Sequence, residues 1–237
     1  MVRQKKASTA PRRIGSRLDP KARRLQILDE ASEFFAEHGF EASTPDLAER
    51  LNISQSLLYR YFSDKDALLR AVYRHVFPPH DFWLGWERLL ADPAQPLRVR
   101  LVRFFKEYAD VTWNYRVTRL LLWAGLTKPP LSKPYTAPLR QRIFPAIIRA
   151  IRADCGQSKS LPLSDVEMEL VQSLHGTMYH LLAIRRWIHN RRFKGDVDEI
   201  IELKVDLFLQ GARQTFRQMG DASPSLSLDT ARLALTH

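Results

Sequence analysis

The stretch TPDLAERLNISQSLLYRYFSDKD, residues 44–66, decides the fold. Thr44 predicts a helix cap, because its hydroxyl can accept from a free N–H of the first turn, and Pro45 fits the first helical position, where no N–H is needed. Leu47, Ala48 and Leu51 form one apolar face, and Asn52 follows where a left-handed residue must end the helix. Ser54 then caps a second short helix, Gln55 to Tyr61, whose Leu58 points inward together with Phe62 at i, i+4 spacing. Two helices across one tight turn make a helix-turn-helix. A third capping signal, Ser63-x-x-Asp66, opens a helix over 64–77 with Lys65 in its first turn.

Upstream, Pro20 starts a helix over 21–38, with Leu25, Leu28, Ala31, Phe34 and Phe35 as its core stripe and Gly39 as its stop. Phe40 packs back on it, and Leu47, Leu51, Leu58 and Phe62 complete a three-helix unit. The pattern Leu-Ala-x-x-Leu-x-Ile-Ser-x-x-x-Leu-Tyr-x-x-Phe-x-x-Lys-x-x-Leu-Leu within it resembles the DNA-binding domain of the TetR (tetracycline repressor) family, from about Arg24 to Val76. Asn52 stands where that family usually has Gly, Tyr61 where it often has His, and Leu57 where Thr is frequent. The last two bear on sequence preference.

The recognition helix offers Gln55, Ser56, Leu57, Tyr59, Arg60 and Tyr61 on its outward side, flanked by its cap Ser54. Gln pairs with adenine edges, Arg with guanine or phosphate, Leu with a thymine methyl and Tyr hydroxyls with phosphate oxygens. An ordinary polar surface does not explain two exposed tyrosines on so short a helix. Lys65 sits at a helix N-terminus, where free N–H groups already favour an anion, and looks like the family's phosphate clamp. Thr44 is a further phosphate contact candidate.

A formal charge of +11 on 237 residues suggests a polyanionic partner. Its distribution matters more than its size. Residues 1–24 hold nine Lys and Arg against Asp19 alone, whereas 25–76 hold five against nine Asp and Glu. A positive field at the helix-turn-helix must therefore come from the basic arm 1–20, from helix N-termini and from a few placed cations. The arm lacks an apolar period; it is either a phosphate or minor-groove contact or a solubilising tail.

A hydrophobic content of 45% excludes wholesale disorder. No apolar run approaches the roughly 18 residues of a membrane span, and no signal peptide is present, which places the chain in the cytoplasm. Cys155 is the single cysteine, expected as packing or surface rather than as an oxidant sensor.

Pro78-Pro79 closes the DNA-binding domain, 21–77. The segment 78–220 reads as helix upon helix, over 81–91, 96–113, 115–127, 136–153, 164–190 and 196–219, with Pro145 kinking or splitting one of them. The tail, 221–237, is loose, with a few leucines able to dock. The fold class is therefore all-α: an N-terminal three-helix domain and a C-terminal helical domain for effector binding and dimerisation. Asp196-x-x-Glu199 caps the last helix, whose apolar residues from Ile200 to Met219 cover more than one face. The resemblance implies that the last two long helices form a four-helix bundle with a second copy. Two matched half-sites also read more base pairs than one short helix.

Within the C-terminal domain, Gln172, His175 and Tyr179 recur at i, i+3, i+7, and with Tyr108, Arg119 and Trp123 they are the candidate border of an effector cavity for an apolar ligand, acidic or neutral. A satisfied polar seam is the other reading. His175 and His180 lack the i, i+4 spacing of a helical metal pair, so neither metal nor cofactor is expected. The function implied is a homodimeric repressor of a palindromic operator, released by a small molecule; an activator of the same fold is the alternative. An all-helical enzyme using His175 or Tyr179 lacks an activated nucleophile, a paired acid and base, or a phosphate loop.

Overall fold

The computed structural model describes residues 19–221, which are helical throughout apart from short connections; the basic arm and the tail lie outside the described residues, except for their innermost positions. The helices are α1 Pro20–His38, α2 Thr44–Arg50, α3 Gln55–Tyr61, α4 Lys65–Val76, α5 His80–Ala91, α6 Leu97–Thr112, α7 Tyr115–Thr127, α8 Pro129–Pro138, α9 Phe144–Asp154, α10 Asp165–Tyr179 and α11 Val197–Asp221. Two π-helical stretches, Leu139–Ile143 and His180–Ile188, join α8 to α9 and prolong α10.

The first helix starts where Asp19 accepts from the Lys21 N–H at 3.2 Å and ends on Gly39 at φ 82°. Its stripe differs from expectation at Leu25, which is 52% exposed; Ile27 takes the inward place instead. Asn52 has φ 52°, the left-handed conformation its position requires. Two caps move by one residue. Ser43, not Thr44, caps α2 by accepting from the Asp46 N–H at 3.2 Å, and Asp64, not Ser63, caps α4 by accepting from the Ala67 N–H at 2.6 Å. That backbone bond, with the Ser63 hydroxyl, holds the Asp64 carboxyl below its usual range.

The proline-rich run 129–135, read as a break, belongs to a helix that reaches Pro138. Pro129 and Pro130 occupy its first turn, where no donor is missed, and Pro134 and Pro138 lie within it. The ladder then loosens into the π stretch, with the Phe144 N–H bonded to Leu139 O, and the regular helix resumes at Phe144-Pro145. Pro145 thus follows the split rather than kinking an otherwise regular helix.

The described residues form two cores. One joins α5, α6, α9, α10 and α11 around Trp86, Phe104, Phe105, Ile147, Val171 and Phe216. The other joins α1 to α4 but also takes Val117, Leu120 and Ala124 from α7. The break at Pro78 therefore divides the chain but not its cores, because α7 packs on α1. A buried ion pair fixes α9 to α10: Arg152 Nε and Nη2 donate to Glu167 at 2.6 and 2.7 Å, and Glu167 also accepts from Ser164 in a capping box. Cys155 is half-buried, with its thiol pushed up by burial, as suits packing rather than reactivity. No helix among the described residues is long and apolar enough to cross a membrane.

Candidate nucleic-acid interface and candidate effector cavity

α3 is seated by Leu58 and Phe62, both buried. Its start is fixed by Ser54 Oγ, which accepts from the Leu57 N–H at 3.2 Å and pairs with Ser56 Oγ at 2.9 Å. Gln55, Ser56, Tyr59 and Arg60 are exposed, while Leu57 and Tyr61 are half-buried, Tyr61 against the core. Only one of the two tyrosines thus stands clear. Thr44 is 6% exposed, and its hydroxyl is engaged: Tyr59 OH lies at 2.9 Å and Gln55 Nε2 donates to it at 3.2 Å. This three-residue network crosses from α2 to α3 and was not apparent in the sequence, since its members are 11 and 15 positions apart. It orients Gln55 and Tyr59 and leaves the Gln55 side-chain oxygen free. Arg50 ties α2 to α1 through Glu30 and Glu37. Lys65 is the first residue of α4, half-buried beside the Asp64 cap.

The candidate effector residues separate into three places. Tyr108, His175 and Tyr179 line one cavity of about 320 Å³, enclosed by the end of α4, α5, α6, α7, α8 and α10. Arg119 and Trp123 do not: both turn to the last turn of α1, donating to Ala36 O at 2.6 and 3.4 Å. Gln172 is exposed and faces Arg140 at 3.4 Å. The cavity gains residues that sequence reasoning missed, above all Thr118 on α7. Its one signal was a lone hydroxyl among the apolar residues Val117, Leu120, Leu121 and Leu122.

Most of the cavity wall is ring and alkyl, including Phe77, Trp83, Trp113 and Tyr135. Rings crowd His175 on several sides, with Trp113 and Phe144 edge-on at 5.6 and 5.7 Å and Tyr179 stacked at 6.1 Å. Burial pushes the imidazole down to about 4, and the Tyr108 and Tyr179 phenols up. Among the described residues, two buried side-chain polar atoms have no hydrogen-bond partner, Thr118 Oγ1 and His175 Nε2. Both belong to this cavity.

The depressed His175 value fixes a sign. Below its ordinary value of 6.5 the unfolded chain takes up a proton that the folded chain refuses until about 4. Stability is thus fully present above about pH 6.5 and falls as pH drops toward 4, by on the order of 2–3 kcal/mol. Denaturant unfolding of the native chain and of His175→Phe at pH 7 and pH 4.5 measures it. The native chain should lose more stability than the variant by that amount, and parallel losses would show that the imidazole is not held neutral.

α7 carries the cavity on one face and the grip on α1 on the other. Besides Arg119 and Trp123, Arg116 pairs with Glu33, and the buried Tyr73 OH of α4 donates to Leu120 O at 2.5 Å. A shift of α7 therefore moves both α1 and α4.

Comparison with known proteins places these features. Residues 27–72 match the family model described as bacterial regulatory proteins, tetR family. The HTH-type transcriptional regulator BetI of Paraburkholderia phytofirmans is 32% identical over 117 residues, 47% of this chain and 58% of that protein. BetI of Burkholderia mallei is 38% identical over 80 residues, 33% and 40% of the two chains. The match thus spans little more than half of the first of these relatives and less of the second. Among solved structures, a TetR-like transcriptional regulator from Rhodococcus sp. RHA1 superposes with a TM-score of 0.60 at 20% identity, over 82% of this chain and 98% of that one. The TetR family regulator PfmR from Thermus thermophilus gives 0.55 at 21%, over 78% and 97%. At such identities these two establish a shared fold.

Proposed function

This chain carries, over residues 27–72, the N-terminal domain of the tetR family of bacterial regulatory proteins, and on that premise we propose that it is a sequence-specific transcriptional repressor that grips a palindromic operator as a homodimer and lets go when a small molecule fills the cavity beside α7. The observation that carries the reading is the exposed face of α3, with Gln55, Ser56, Tyr59 and Arg60 outward and Lys65 at the start of the next helix. Tyr59 and Arg60 reach phosphates or base edges, Gln55 reads from the groove end of the helix, and Lys65 holds a phosphate. Thr44 holds Gln55 and Tyr59 in place rather than touching the duplex itself.

The second copy is held by the open flank of the last two helices. α6 occupies one flank of α11 with Arg98 and Lys106 on Asp198, Glu202 and Asp206. The other flank exposes Leu203 and Leu207 at 55% and 73%. α10 presents Ser173, Gly176 and Thr177 outward, small residues that allow close approach of another helix. Release needs only that the ligand bind one arrangement of the two α3 helices better than the other; α7 and α4 transmit the difference.

Paired substitutions on the reading head test this. Gln55→Ala should cost roughly 1–3 kcal/mol per half-site on its preferred base and relax preference there. Lys65→Ala should weaken binding to all sequences alike and lower the salt slope by about 1 per subunit. Affinities for the operator and its single-base variants across a salt series decide. An unchanged base profile for the first variant, or an unchanged slope for the second, would move the contact elsewhere.

A further inference from the structure

We propose that the cavity beside α7 takes an uncharged, largely apolar ligand of one or two rings bearing a hydroxyl group, which bonds Thr118 Oγ1 beside the unpaired His175 Nε2. The inference rests on the effector reading above and goes on to the chemistry of the ligand. Thr118 is 1% exposed, and its hydroxyl does not turn back to the helix backbone as that of Thr112 does to Tyr108 O at 2.6 Å. Unpaired buried polar atoms are rare, and here two of them line the same cavity.

The wall contains no Asp, Glu, Lys or Arg among the described residues. A carboxylate or an ammonium entering it would leave water without a counter-charge. An acidic ligand finds cations instead in the open groove between α4 and α8, where Arg70 and Arg74 stand and Lys128 pairs with Asp66 at 2.6 Å. A ring face can hold a cation, but an ammonium without N–H groups would leave Thr118 and His175 unpaired. A hydroxyl both donates and accepts, so it satisfies either atom whichever ring nitrogen of the neutral imidazole carries the proton. The volume, about 320 Å³, lies at the lower end of ligand sites, which admits a small ring system and little more.

The full-length protein is titrated with 2-naphthol, naphthalene, 2-naphthoate and phenyltrimethylammonium, following tryptophan fluorescence, and each titration is repeated on Thr118→Val. The substitution keeps shape and removes the hydroxyl, and it should leave the melting temperature unchanged or raised, since that hydroxyl has no partner to lose. The expected result is that 2-naphthol binds about tenfold or more tighter than each of the other three, and that Thr118→Val weakens 2-naphthol about five- to tenfold while leaving naphthalene unchanged. Equal or tighter binding of the carboxylate or the ammonium overturns the proposal, as does binding by none of the four, a Thr118→Val protein with unaltered 2-naphthol affinity, or a fall in its melting temperature. If 2-naphthol binds as expected but leaves operator affinity unchanged, the ligand class stands and the effector reading fails.

Discussion

Leu207→Glu is expected to abolish operator binding at protein concentrations where the native chain is saturated, with at least about a 100-fold loss of apparent affinity. Leu207 is 73% exposed in the single chain, so a carboxylate there costs the fold of one copy almost nothing. In a symmetric dimer the same side chain enters the contact twice, once from each copy, and each copy would place an unpaired charge in an apolar interface. Loss of a central interface side chain costs about 2 kcal/mol or more, and symmetry doubles it. The monomer keeps one intact reading head, so residual binding should be weak and without preference for paired half-sites. Sedimentation and operator titration on one preparation check both halves. A variant that sediments as a monomer yet binds at native affinity would remove dimerisation from the mechanism, and one that stays dimeric would place the contact on another face.

Arg152→Met should destabilise the fold by about 3–5 kcal/mol, the usual cost of breaking a buried ion pair by removing one partner. The guanidinium bonds Glu167 through two nitrogens and donates to Leu161 O and Pro162 O at 2.7 and 2.9 Å, so four acceptors lose their donor together. Burial by itself would raise the Glu167 carboxyl; the bonds from Arg152 and Ser164 outweigh that and hold it below its usual range. Its contribution is therefore present at neutral pH and lost as acid protonates the carboxylate. In Arg152→Met the carboxylate remains buried with only Ser164 to answer it. The melting temperature should fall by roughly 6–20 °C in this size class. Replacing both members, Arg152→Met with Glu167→Leu, should recover much of the loss, and a double variant no better than the single would assign the cost to the two carbonyls rather than to the charge.

The helix-turn-helix was legible because its signals are local. Asn52 must adopt a left-handed conformation, Ser54 must cap, and Leu58 with Phe62 must face inward, and each requirement is met within a few residues. The one-residue errors at Ser43 and Asp64 arise where two neighbours both carry an acceptor; which one reaches the third N–H depends on backbone angles that sequence does not show. Pro129 and Pro130 read as a stop because the same residues that end a helix also begin one.

The cavity was legible only in part, for geometric reasons. Gln172 and Tyr179 point along nearly the same direction of α10, but seven residues separate them by about 10 Å along the axis. Gln172 falls beside the π stretch, where Arg140 meets it, beyond the reach of the cavity. Arg119 and Trp123 misled for another reason. α7 is apolar on more than one face because it packs in the core with α1 and also lines the cavity, and nothing in its period says which face meets α1. Thr118, on the cavity face, drew no reading, because a single threonine in a helix has no pattern of its own.

Selection of bound fragments from random double-stranded DNA by the purified full-length protein tests the central claim most directly. The expected product is one enriched palindrome whose two half-sites lie about one helical turn apart, centre to centre, or a multiple of it. Recovery of fragments with no common motif, or of a single unpaired half-site, would contradict a symmetric, sequence-reading dimer.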